Sequence, residues 1–582
     1  MNDAARPRAG GGTPPLPASA RVGVFLFNAI GIYSTIWRQE KPMRSTPLPL
    51  QILAIAAAVA LPLRAAPEKP NFLIIVADDM GYSDAGCYGG EIATPNLDRL
   101  ASEGLRFTQM YSTGRCWPSR SCILTGYYAQ QVRMDPPFGR LPEWTRVLPQ
   151  YIKPAGYRCY TSGKWHLRGA PKAIADAGFD RAYLLEDHNR NFGPKQATLD
   201  DAPLPPVEEG QGYYSSTAIA QYAIDFLKQH ATAHADKPFL LYLAFVVPHF
   251  PLQAPADDIA KYRGTFDAGW DAVRERRWPR MREMGLVNCA LSRRDPETIP
   301  SWNMPEDKLR SEIGPGELGH ALAWRELTDE QRSFQATKMS IHAAMIDRMD
   351  QEIGRVVSKI KDMGAADNTV TMFVSDNGAS AEIINRGDRH DPSAPLGSAK
   401  SYLCLGPGWS TASNTPFRLH KHWNHEGGIA SPLIVHWPKG IADRGQLRHN
   451  PGHFIDILPT IADLAGCKTE GPWNGKDVPP LPGRSLVPAF GKDGSVHHDY
   501  LYFHHQDNRA MRVGDWKLVA KGKEGPWELY DLSVDRCESH DLAAKNPEKV
   551  RELSALWQRS EDEFRALAGP MPEPAKKKRG KK

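Results

Sequence analysis

The chain has no apolar run that reads as a stable membrane span, which needs about 20 residues. Residues 22–37 are apolar but short and interrupted by Asn28. Residues 48–63 are preceded by Met43-Arg44 and followed by Arg64-Ala65-Ala66. A basic start, an apolar stretch and small residues is the order of a signal peptide, so residues 43–66 are expected to be one. Arg64 stands where a small residue is preferred, which blurs the cleavage point. Residues 1–42 then read as an extension from a misplaced start, with translation beginning at Met43. Cysteine is scarce: there are eight, and none precedes Cys87, so no lipid-bearing cysteine follows the signal. In an exported protein they can pair, but connectivity is not legible from sequence. The chain also lacks a basic body. Residues 576–582 carry six positive charges, residues 1–42 contribute +3 and residues 43–66 contribute +2, so a net charge of +5 leaves the body at −6. That argues against a nucleic-acid surface, and the tail 576–582 reads as a solvated, disordered end. A periplasmic or secreted enzyme is expected, in which an anionic substrate would need a local cationic site.

What is present is an alternation of short apolar runs with helical patterns. Residues 71–77, 157–162, 239–247 and 369–375 are rich in β-branched or aromatic residues, and residues 95–103, 217–229, 335–363 and 453–465 read as helices. This pattern predicts an α/β fold with a large, mostly parallel central sheet flanked by helices. Residues 253–330 are polar and without steady periodicity, and read as an excursion beside the mouth of a site. From residue 471 the pattern changes to short strands at 501–505, 510–519 and 527–532, then an amphipathic helix at 547–564. The expected organisation is a catalytic domain over 67–470 and a smaller α+β unit, an antiparallel sheet plus helix, over 471–575.

Polar residues gather just past the predicted strands. Asp78-Asp79, Lys164 and His166, His249, and Asp376-Asn377 each follow one. Ligands of open α/β sheets bind outside the carboxyl ends of strands, so these groups can converge. Singly each is weak, because an acidic pair is often a helix cap and a lone histidine is often structural. Jointly, Asp78, Asp79, Asp376 and Asn377 offer only hard oxygen ligands, which suits Ca²⁺ or Mg²⁺ better than zinc. Lys164 and His166, two apart, would project to one side of an extended backbone. Cys116-Trp117-Pro118-Ser119-Arg120 precedes an apolar helical pattern, placing Cys116 at a helix start. On residues alone it is an activated thiolate near a metal, or a buried thiol.

The pattern Cys116-x-Pro118-Ser119-Arg120 with Leu124-Thr125-Gly126 resembles the signature of the sulfatase family, in its arylsulfatase-like branch. The resemblance runs from Pro70 to about Phe564. It takes in Asp79-Met80-Gly81, Thr94-Pro95-Asn96, Gly163-Lys164-Trp165-His166, Pro248-His249, Ser375-Asp376-Asn377-Gly378, Lys421, and His425-Glu426-Gly427-Gly428. It implies an alkaline phosphatase-like fold. It implies that a maturation enzyme oxidises Cys116 to formylglycine (3-oxoalanine), so that the thiol is a precursor and not the nucleophile. A divalent cation, usually Ca²⁺, would sit among Asp78, Asp79, Asp376, Asn377 and the modified residue 116. Arg120 would stabilise that residue, Lys164 and Lys421 would bind sulfate oxygens, His166 would act as base and His249 as acid. The reaction implied is hydrolysis of an aryl or carbohydrate sulfate through a covalent sulfoenzyme. Residues 182–187 and the surroundings of Cys404 depart from the pattern, which puts transfer of a particular substrate in doubt. Two alternatives stand beside it: a phosphodiesterase or phosphonate-ester hydrolase of the same superfamily, and a non-catalytic sulfoglycan-binding protein.

Overall fold

A computed structural model describes residues 68–135, 139–386 and 389–570. The extension, signal peptide and basic tail expected at 1–42, 43–66 and 576–582 lie outside the described residues. The main strands are β1 (Asn71–Asp78), β2 (Leu105–Tyr111), β3 (Arg158–Gly163), β4 (Arg181–Leu185), β5 (Phe239–Pro248), β6 (Thr369–Ser375) and β7 (Ala430–His436). They lie in the order β2-β7-β6-β1-β5-β3-β4 within an 11-stranded sheet. The five from β6 to β4 are parallel neighbours, and β7 runs antiparallel to both β6 and β2. The large mixed, mostly parallel sheet is therefore the one expected.

The central strands are buried on both faces, and their side chains divide by alternation. Leu73, Ile75, Leu241 and Leu243 join one core, whereas Phe72, Ile74, Leu240 and Tyr242 join the other. Every residue of β5 is buried, the near-continuous apolar run of a parallel strand covered on two sides. Each such Leu or Phe contributes about 1.5–3 kcal/mol of burial, enough to fix the register and hence where each strand ends.

The covering helices include α1 (Pro95–Ser102), α2 (Cys116–Thr125), α3 (Ser215–Ala233), α4 (Gly269–Glu283) and α5 (Asp329–Asp362). Helix α5 starts at Thr328, whose side chain accepts from Gln331 N while Gln331 reaches back in a capping box. The excursion over 253–330 is more ordered than expected, because it contains α4. The apolar face of α4 (Trp270, Val273, Met281) is interrupted by Arg277, which is buried on ion pairs to Asp84 at 2.9 Å and Glu91 at 2.7 Å. A charged residue on the buried face hides the helical period from a hydrophobicity reading.

The carboxyl-terminal sheet is antiparallel: β8 (Leu501–His505), β9 (Asn508–Val513), β10 (Trp516–Ala520) and β11 (Glu528–Asp531). The stretch expected as one strand at 510–519 is two, broken at Gly514-Asp515, where Gly514 takes φ +57°. Helix α6 (Pro547–Ala568) packs on β9 and β10. Cys289, beyond α4, and Cys537, beyond β11, form a disulfide; Cys116 is a free, buried thiol.

Candidate active site

All ten residues singled out from sequence meet at the carboxyl ends of the parallel strands. Asp78 is the last residue of β1, and Asp79 follows at φ +65°, turning its carboxylate back toward the strand ends. Asp376 and Asn377 follow β6; Asn377 Nδ2 donates to Asp79 Oδ1 at 2.7 Å, and Asp79 N donates to Asp376 Oδ1 at 3.3 Å. Lys164 follows β3 through Gly163, whose φ is +114° and where a Cβ would lie 1.9 Å from Ala244 O. Glycine there lets Lys164 N donate to Ala244 O at 2.7 Å and sets the lysine over β1. Lys164 Nζ pairs with Asp78, and Lys421 Nζ lies 2.8 Å from Asp79 Oδ2 and 3.2 Å from Glu382 Oε2.

Cys116 is the first residue of α2, with extended Arg115 as the cap. Its thiol shares the field of Lys164, Lys421, Asp78 and Asp376. Burial pushes that thiol above its usual range although the two lysines pull the other way. One turn on, Arg120 is wholly buried: Nε donates to Asp376 Oδ2 at 2.8 Å and Nη1 to Lys164 O at 3.0 Å, and Nη2 lies 3.7 Å from Asp78 Oδ2. Burial opposes its charge, but Asp376 and Asp78 outweigh that and hold it protonated. Arg120 thus ties the nucleophile helix to two strand ends.

His166 and His249 enter from β3 and β5. The expected reason for Lys164 and His166 sharing a side fails, because His166 has φ +58° and the backbone is not extended there. Its ring instead meets Trp117 at 5.8 Å and His188 at 5.6 Å, with Nδ1 buried and unpartnered. His249 Nδ1 donates to Phe250 O at 2.6 Å, leaving Nε2 3.8 Å from Asp79 Oδ2. Burial first, then the two lysines and His188, hold His249 well below the usual imidazole range; burial, Lys164 and His188 do the same for His166. His188 packs between the two, its ring 5.6 Å from each, and no reading of the sequence found it. The signal was indirect: it lies just past the segment 182–187 where the family resemblance breaks.

The donors fit a hard divalent cation. Asp78, Asp79 and Asp376 crowd into one buried space, and Asp78 Oδ1 and Asn377 Oδ1 are buried without any partner. Burial first, then Asp78, raise Asp376 to about 7 although Arg120 and Lys164 pull the other way, the behaviour of carboxylates crowded into a dry space. Ligand atoms of Asp78, Asp79 and His249 lie within 4.8 Å of one another. Two of these oxygens are unpartnered, so Asp78, Asp79, Asp376 and Asn377 offer an oxygen cage, with His249 Nε2 at its edge.

A family model described as sulfatase matches residues 70–467, and one described as N-sulphoglucosamine sulphohydrolase, C-terminal, matches residues 417–563. The chain is 33% identical to an uncharacterized sulfatase of Schizosaccharomyces pombe, over 86% of this chain and 95% of that one. It is 31% identical to an arylsulfatase of Klebsiella aerogenes, over 74% of this chain and 96% of that one. Among solved structures, Ps i-CgsB in complex with a neocarrahexaose superposes with TM-score 0.60 at 23% identity, over 87% of this chain and 96% of that one, a likeness of fold. Among the described residues no helix is long and apolar enough to cross a membrane. With the family model spanning well over half its length, the chain belongs to the sulfatase family and is a sulfuric ester hydrolase.

Proposed function

We propose that the protein hydrolyses sulfate monoesters, with an aryl or carbohydrate leaving group, at residue 116. The observation that carries this reading is the placement of Lys164 and Lys421 on either side of the acidic cluster, around the first residue of α2. An oxidised residue 116 would supply, as an aldehyde hydrate, one hydroxyl to attack sulfur and a second through which sulfate is released. Asp78, Asp79, Asp376 and Asn377 would hold Ca²⁺ (or Mg²⁺), which when bound supplies Lewis-acid polarisation.

The remaining work falls to the chain's own side chains. Lys164 and Lys421 fix the equatorial sulfate oxygens and offset their charge in a dry site. A bound sulfate also offsets the lysine charges that, with burial, hold His249 and His166 neutral, which makes imidazolium easier to form. His249 Nε2 then gives the leaving oxygen its proton, with Phe250 O holding the ring. His166, with Nδ1 unpartnered, accepts the proton of the attacking group. Arg120 keeps Asp376 and Asp78 in place and, one turn along the helix, stabilises the modified residue 116. A sulfated small molecule or glycan and a formylglycine-generating enzyme are the partners this reading needs. The Cys289–Cys537 disulfide supports export to an oxidising compartment, in keeping with the expected signal peptide.

Mass spectrometry of the peptide bearing residue 116, from protein made in its native host, tests the mechanism. A side chain in which CHO replaces CH₂SH is expected in step with sulfate release. An active preparation in which Cys116 is still a thiol would overturn it. Phosphodiester and phosphonate substrates, tried beside an aryl sulfate, separate the superfamily alternative.

A further inference from the structure

A second group of side chains is built on the two chain neighbours of Cys116. Its chain neighbours Arg115 and Trp117 are both partly exposed, and the Arg115 guanidinium lies over the rings of Trp117 at 5.2 Å and Trp302 at 5.6 Å. Trp117 meets His505 at 5.5 Å, His505 meets His422 at 5.3 Å, and His422 meets Trp302 at 4.8 Å, which closes a circuit. Two links join this circuit to the charged centre. Trp117 also meets His166, and Glu382 Oε1 accepts from Arg115 at 3.1 Å and Trp302 Nε1 at 2.9 Å while Oε2 faces Lys421.

The hydrogen-bonding character of the circuit follows from its partners. His505 Nδ1 is 2.7 Å from Asp135 Oδ1, and a carboxylate accepts, so Nδ1 carries the proton. Its Nε2 is then an acceptor, on a fully buried residue, with no partner. Asn508 Nδ2 donates to His422 Nε2 at 3.1 Å, which puts the His422 proton on Nδ1, again buried and unpartnered. Arg115 Nε and Nη1 are donors in the same condition. Native proteins leave few buried polar atoms unpaired, and those left are expected to meet a ligand or water. An aromatic cluster bearing an acceptor and several donors matches a pyranose. Its C–H face stacks on aromatics, and each hydroxyl both donates and accepts. A plain aryl ring has no hydroxyls for these atoms.

We propose that Arg115, Trp117, Trp302, His422 and His505 form the leaving-group subsite and select a sulfated sugar over a simple aryl sulfate. The proposal rests on the sulfate-ester reading above. It makes β8, which carries His505, part of the active site, with Asp135 a positioning residue that fixes the His505 ring.

The test compares kcat and KM for nitrophenyl sulfate with those for a panel of mono-sulfated hexoses and N-acetylhexosamines, on matured enzyme. Arg115→Ala, His422→Ala and His505→Ala are each expected to lower kcat/KM for a sulfated sugar by about 10- to 100-fold, mainly through KM. The loss on nitrophenyl sulfate is expected to be smaller, under about 5-fold, because that group makes none of these hydrogen bonds. Since Arg115 and His422 are partly exposed, their variants read the subsite even if His505→Ala folds poorly. Equal losses on both substrates, or none on the sugar, would overturn the proposal. A wild-type enzyme that turns over the aryl sulfate but no sugar overturns the subsite alone. One that releases sulfate from neither overturns the sulfate-ester reading and this proposal with it.

Discussion

Two groups of buried carboxylates in this molecule use the same residue types to opposite ends. At the strand ends, Asp78, Asp79 and Asp376 sit among Arg120, Lys164 and Lys421. Beneath the carboxyl-terminal sheet, Glu426 and Glu538 sit among Lys517, Arg536 and Arg512. The second group is filled around Glu426: Oε1 accepts from Lys517 at 2.9 Å, and Oε2 accepts from Arg536 at 2.9 Å and from Tyr111 at 3.0 Å. Burial alone would raise the Glu426 carboxyl, yet Lys517, Arg536 and Arg512 hold it at about 2. At the strand ends Asp376 goes the other way, and Asp78 Oδ1 has no partner. A carboxylate with both oxygens paired, as Glu426 has, makes a brace; one with an oxygen left over, as Asp78 has, leaves room for a ligand. Glu426 therefore belongs to the architecture, although it stands in the His425-Glu426-Gly427-Gly428 motif.

That contrast breaks or holds under substitution, and the largest effect is expected at the strand ends. Asp376→Asn should lower sulfate release by about 10²–10³-fold while leaving the melting temperature nearly unchanged. The amide keeps an acceptor for Arg120 and removes one of three crowded negative charges. Chelation of the wild-type enzyme should act alike, abolishing turnover until Ca²⁺ is returned. Activity that survives in metal-free protein would dismiss the oxygen cage. Next in size is Glu426→Ala, which strips Lys517 and Arg536 of a partner in a dry interior. A loss of about 3–5 kcal/mol in unfolding free energy is expected, with kcat per folded molecule retained. If Glu426→Ala instead lost activity without losing stability, the two groups would not differ in kind.

How far the site was legible from sequence follows the same division. Asp78, Lys164, His249 and Asp376 were legible because a buried parallel strand is an apolar run, and the first polar residues past it mark its carboxyl end. Lys421 has no such marker, sits on a loop, and came only from the family resemblance. His166 was found for a wrong reason, since its positive φ breaks the extended alternation that selected it. Arg115, His422 and His505 were not legible at all. Three separate segments bring them together, and the Asp135–His505 pair that orients one of them spans 370 positions. Local pattern reports which face of an element is buried, not which distant loop it meets. Helix α4 was missed for a related reason, a buried arginine standing where the period calls for an apolar residue.

The smallest expected effect separates the groups by pH. A carboxyl held below its unfolded value contributes stability that is fully present above the unfolded value and is lost as pH falls toward the folded one. For Glu426 those values are 4.5 and about 2, so its contribution, roughly 3 kcal/mol, should fade as pH is lowered across that window. Glu426 and the acids beside it hold Lys517 and Arg536 charged, and Tyr111 stays neutral because burial raises its hydroxyl, so Glu426 is the group whose titration the comparison reads. Unfolding free energies of wild type and Glu426→Gln, compared at pH 6 and pH 3, isolate the effect: the gap between them should narrow at the lower pH. A gap that is constant with pH would mean that shape and hydrogen bonding, rather than charge, hold the carboxyl-terminal sheet in place.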